Sequence, residues 1–69
     1  MVGVGDYPVT VKWDWDAKCW VAKAVDFPRC IGDGLSEVKA VADVRFRLKA
    51  HISDIQEAGG EVPSPSKLR

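Results

Sequence analysis

Metal ligands and redox pairs are scarce in this chain. It holds two cysteines, Cys19 and Cys30, and one histidine, His51, too few for the four ligands of a structural zinc site. No metal or cofactor is expected. A Cys19–Cys30 disulfide is possible on count, but no secretory leader opens the chain, which points to a reducing cytoplasm and two free thiols. No apolar run approaches the ~20 residues of a membrane span. Neither sign of charge dominates: ten acidic and ten basic residues cancel. That balance argues against a large electrostatic footprint for nucleic acid or for an anionic membrane. No internal repeat is visible.

Length is the other shortage. The 69 residues allow one domain, spanning 1–69, which buries roughly 60% of the surface of its unfolded form. Domains of this size lean on disulfides, metals or association. With the first two set aside, a homodimer or larger assembly is expected.

What the chain does have is alternation. Tyr7 to Trp13 places Val9, Val11 and Trp13 between Pro8, Thr10 and Lys12, the period of a half-buried strand; Pro8 suits a strand start or an edge. Cys19 to Val25 reads as a second strand, and Trp15-Asp16-Ala17-Lys18 as a four-residue hairpin loop. That loop sets Asp14 opposite Cys19, Trp13 opposite Trp20, Val11 opposite Ala22 and Val9 opposite Ala24. The last three pairs share one apolar face, and a slip of one residue would turn them all outward. The other face carries Thr10, Lys12, Cys19, Val21, Lys23 and Val25. It is mixed rather than polar, so it reads either as a solvated face rich in strand formers or as a face partly covered by another chain.

Pro28 holds Phe27 away from helix, making Asp26 to Arg29 a turn. Cys30-Ile31-Gly32 is a brief third strand, pairing with the first or the second. The helix is expected to start near Gly34, capped by Asp33 or Gly34, and to run to about Ala58, where Gly59-Gly60 supplies a left-handed end. Its apolar arc is Val38, Val41, Val44, Leu48, Ile52 and Ile55, facing Trp13 and Trp20. Arg45 falls inside that arc and must snorkel or meet a partner. Asp43 and Arg47 pair at i,i+4. Leu35, Ala42 and Phe46 form a second group on the flank, either core edge or a contact with another chain. The expected fold is thus α+β: a three-stranded antiparallel sheet, βββα in order, on one long helix, with Val62 placed to return as a short fourth strand. Residues 1–6 read as a frayed lead-in, and 63–69 as a mobile tail.

The chemistry is thin. Gly3-Val4-Gly5 lacks the third glycine and the preceding strand of a phosphate-binding turn. Asp14, Asp16 and Asp26 read as hairpin and turn residues. His51 has no Ser, Cys or Asp partner that the pattern places beside it and reads as solvated. The cysteines read as small hydrophobes. Three Trp could make a stacking platform for a single strand, but Trp13 and Trp20 are used by the core, which leaves Trp15 exposed.

The segment YPVTVKWDWDAKCWVAKAVDFPRCIGDGLSEVKA resembles the N-terminal domain of HicB-like antitoxins. The matching motifs are Trp20-Val21-Ala22, Asp26-Phe27-Pro28, Cys30, Gly32-Asp33, and Leu35 with Glu37. The run from Gly59 to Ser66 is similar to the family's closing G-x-x-I-P-x-P-S, so the likeness spans Tyr7 to Ser66. Arg29 stands where the family prefers Gly, Gly34 where it prefers Thr, and Val38 replaces the usual Ala. The resemblance implies a βββα or βββαβ, partial RNase H-like domain without catalytic carboxylates. It implies binding and neutralisation of a small HicA-type mRNA-cleaving toxin. Full-length relatives usually add a C-terminal DNA-binding segment and frequently oligomerise. The given chain carries no such segment, so autoregulation by DNA binding is not expected of it.

The expectation is a non-enzymatic, cytoplasmic protein-binding module with no membrane contact. Its candidate partner or oligomer surface is Trp15, Cys19, Val21, Val25, Phe27, Arg29, Leu35 and Phe46. Two alternatives stand beside it. One is a small nucleic-acid-binding domain using Trp15, Lys12, Lys23 and Arg29. The other is a structural oligomer with no toxin partner.

Overall fold

The computed structural model describes residues 4–65. A three-stranded antiparallel sheet, in the order β1-β2-β3, packs on one long helix. The strands are β1 (Val9–Asp14), β2 (Cys19–Ala24) and β3 (Ile31–Gly34), and the helix is α1 (Glu37–Glu57). Residues Val4–Asp6 form a turn of 3-10 helix where a frayed lead-in is expected; residues 1–3 lie outside the described part.

The hairpin register is the one the alternation predicts, with Asp14 opposite Cys19 and Trp13, Val11 and Val9 opposite Trp20, Ala22 and Ala24. The loop holds because Asp14 Oδ1 accepts from the backbone N–H groups of Asp16 (2.9 Å) and Ala17 (3.1 Å), while Lys18 takes a left-handed φ of 54°. Trp13 and Trp20 meet edge to face at 5.6 Å, and Trp15 meets Trp13 the same way at 6.0 Å.

β3 pairs with β2, not with β1, and it extends through Gly34. The helix therefore starts later than the sequence suggests. Its N-cap is Ser36, whose hydroxyl accepts from the Lys39 N–H at 3.1 Å, and neither Asp33 nor Gly34 caps it. Gly34 is committed to the sheet opposite Trp20. The far end stops as expected, with Ala58 as C-cap and Gly59 at φ 80°.

Two glycines set how closely α1 approaches. A Cβ on Gly32 would lie 2.3 Å from the Val44 backbone nitrogen, and one on Gly34 2.7 Å from that of Ala40. This close approach rotates the buried stripe. Ala40, Val44 and Leu48 are fully buried, with Val41, Ile52 and Ile55 packed beside them. Val38, expected in the arc, is 79% exposed; small Ala40 takes the core position because the helix backbone there lies against glycine. Arg45 snorkels as expected, its guanidinium reaching the Tyr7 carbonyl at 3.4 Å.

The rest of the core is Tyr7, Ala22, Ala24, Phe27 and Cys30. Phe27 packs edge-on against Tyr7 at 5.4 Å. After the helix, Val62 packs against this core and the Tyr7 hydroxyl donates to the Pro63 carbonyl at 2.6 Å. Among the described residues this return forms no ladder, so the sheet has no fourth strand there. The chain at Pro63 is thus held against Tyr7; residues 66–69 lie outside the described part. Among the described residues no helix is long and apolar enough to cross a membrane.

Candidate functional site

Because α1 covers one face of the sheet, the other is left open. Alternation along three strands in a fixed register puts Thr10, Lys23 and Ile31 in one row across this face. Lys12, Val21 and Asp33 form the next row, and Asp14 and Cys19 the last. Val21 and Cys19 are half-buried; Ile31, Lys12, Lys23 and Thr10 are exposed. A depression of about 360 Å³ lies over Val21, walled by Thr10, Lys12, Lys23 and Ile31. Two lysines and two aspartates surround the apolar centre, so the face carries charge of both signs and no net excess.

The expected interface residues fall into separate places. Cys19 and Val21 belong to the open face, and Val25 continues it just past the end of β2. Trp15 stands at the hairpin tip, 82% exposed. Leu35 and Phe46 are strongly exposed rather than core edge, at 81% and 75%. Arg29 and Phe46 line one groove of about 330 Å³ with Ile31, Arg47 and His51. Phe27 does not belong to a surface at all: it is 7% exposed, drawn inward because Pro28 turns the chain and the Tyr7 ring meets it. His51 is exposed, but its ring also rests edge-on against Phe27 at 5.4 Å.

Ile31 is the residue that sequence reasoning missed. It joins the open face and also lines the groove beside Phe46. Its facing follows from Gly32, which lies against the α1 backbone, so the neighbouring Ile31 must point outward; that contact is not written in the four-residue strand itself.

Both cysteines are free thiols. They lie at opposite ends of β2, since Cys30 bonds across to Ala24 and Cys19 starts the strand. That is a separation of roughly 17 Å along five residues, far beyond disulfide reach. Burial pushes the Cys30 thiol up, keeping it protonated. Asp43 is held below the usual carboxylate range, first by the hydrogen bond from the Asp33 N–H (3.0 Å) and then by Arg47 (3.2 Å), with some opposing desolvation. Among the described residues, no cluster of three or more His, Cys, Asp or Glu is placed to hold a metal ion.

The same register separates the residues of the nucleic-acid reading. Trp15 precedes β2 and Arg29 follows it, so they stand at opposite ends of a strand of ~20 Å, with only Lys12 and Lys23 between them on the open face. Comparison with known protein families, with curated proteins and with solved structures finds no match to this chain.

Proposed function

We propose that this chain is a non-enzymatic protein-binding module resembling a HicB antitoxin core. It would bind and neutralise a small HicA-type mRNA-cleaving toxin through the open face of its sheet. The observation that carries this reading is the face itself, an uncovered surface centred on Val21 and Ile31 and ringed by Lys12, Lys23, Asp14 and Asp33. An apolar centre inside a charged rim is how protein-binding patches are built. The βββα order with one covered face is also the fold that the resemblance implies. Asp14, read in the sequence as a hairpin residue, uses one carboxylate oxygen to hold the hairpin loop.

The experiment is an RNA cleavage assay with the purified product of the reading frame beside this gene, run with and without this chain. Cleavage that stops at near-stoichiometric addition supports the reading. A neighbour that cleaves RNA unhindered, or that cleaves none, overturns it. Added salt separates the nucleic-acid alternative, because binding through phosphate contacts weakens steeply with salt. On the proposed reading this chain itself retains no RNA at any salt concentration.

A further inference from the structure

The two edges of the sheet are not alike. On β3, the residues whose backbone groups point away from β2 are Ile31 and Asp33, because Ala24 bonds to Cys30 and the alternation follows from there. The outward Asp33 N–H is already taken by Asp43 of α1 at 3.0 Å. With only four residues and a carboxylate across it, this edge is closed to a new strand. On β1, the Val25 N–H bonds the Pro8 carbonyl. Thr10, Lys12 and Asp14 therefore bond toward β2, and Val9, Val11 and Trp13 direct their N–H and C=O groups outward. Among the described residues these outward groups meet no backbone partner. Residues 61–65 make no ladder with them, and Pro63 and Pro65 have no N–H to give. The edge has no bulge and no proline inside it, devices that normally blunt an exposed edge.

We infer that β1 pairs antiparallel with β1 of a second copy about a two-fold axis through Val11, joining two sheets into one of six strands. The occupant follows from the register. Centring on Val11 sets Val9 against the partner's Trp13, and Val11 against its own equivalent. It engages every outward group for about six hydrogen bonds. It also sets Thr10 against the partner's Lys12, so no like charges face each other. A shift that centres on Lys12 opposes two lysines and loses a third of those bonds; one that centres on Thr10 loses as many. The apolar ridge of Val9, Val11 and Trp13, half-buried and less covered by α1 than β2 and β3 are, then covers itself. Because the β3 edge is closed, the pairing stops at two copies instead of propagating. The inference stands on edge geometry alone and does not depend on a toxin partner.

Sedimentation across the micromolar range tests it, starting from the 7.6 kDa monomer. The expected result is a reversible monomer–dimer equilibrium. Val11→Pro removes an outward N–H and leaves the bonds to β2 in place, though it also trims a side chain packed on the core; it abolishes the dimer, and circular dichroism checks that the fold survives. The solvent-facing Thr10 tests register without touching the core. Thr10→Glu places opposite charges together and tightens the dimer roughly fivefold, and Thr10→Lys weakens it by about as much. The Lys12-centred register reverses these signs, setting residue 10 against Asp14, and so contradicts the inference. So does a dimer indifferent to all three variants, which would be using another surface. A monomer at every concentration overturns it outright, as do outward amides of Val9, Val11 and Trp13 that exchange slowly in the monomer, showing the edge covered by its own chain.

Discussion

Gly32 is the residue on which the approach of helix to sheet depends. Any side chain there would intrude on the Val44 backbone, and backbone cannot swing away as a flexible side chain can. Gly32→Ala is expected to cost about 3 kcal/mol or to prevent folding, measurable as a shift of the urea midpoint. Asp43 carries the clearest pH signature. Its folded value is depressed below the ordinary 3.8, so its contribution to stability is complete above that value and is lost as pH falls through the folded value. Acid titration of stability should therefore be less steep below pH 3.8 in Asp43→Asn than in the parent. A parent and variant with parallel acid limbs would show that the Asp33 and Arg47 contacts do not matter. At this scale the sequence was legible where alternation governs, as in Val11 and Ala22. It was not legible where a neighbour in space decides. Phe27 went inward because Tyr7 waits there, and Val38 went outward because two glycines on β3 favour Ala40.

The elements were placed more surely than their ends. The β1–β2 register followed from loop length and the apolar pairs, since a slip of one residue would turn them outward. The helix start slipped because glycine and aspartate before it are acceptable caps in isolation, and only the pairing of Gly34 with Trp20 removes them. Ser36 then holds the first turn through its hydroxyl. Ser36→Ala should cost about 1 kcal/mol, read as a lower melting temperature with unchanged helix content at room temperature. If stability is unaffected, the cap is not Ser36. The same spatial logic hid the third strand's partner: a four-residue strand carries too little pattern to choose a neighbour.

For the whole molecule, the architecture of sheet on helix was readable from periods of two and 3.6. Which surface the molecule leaves open was half readable. Val21 and Cys19 were visible as apolar residues on the wrong side of a strand, whereas Ile31 needed the third strand's register before it could join them. The open face is the centre of the functional account, and residue-resolved chemical-shift mapping tests it most directly. The chain is titrated with the product of the neighbouring reading frame while its backbone amides are followed. Saturable shifts are expected at Thr10, Lys12, Val21, Lys23, Ile31 and Asp33. Shifts confined to the hairpin tip at Trp15 or to the outer side of α1 around Val38 and Phe46, or no shifts at all, would contradict it.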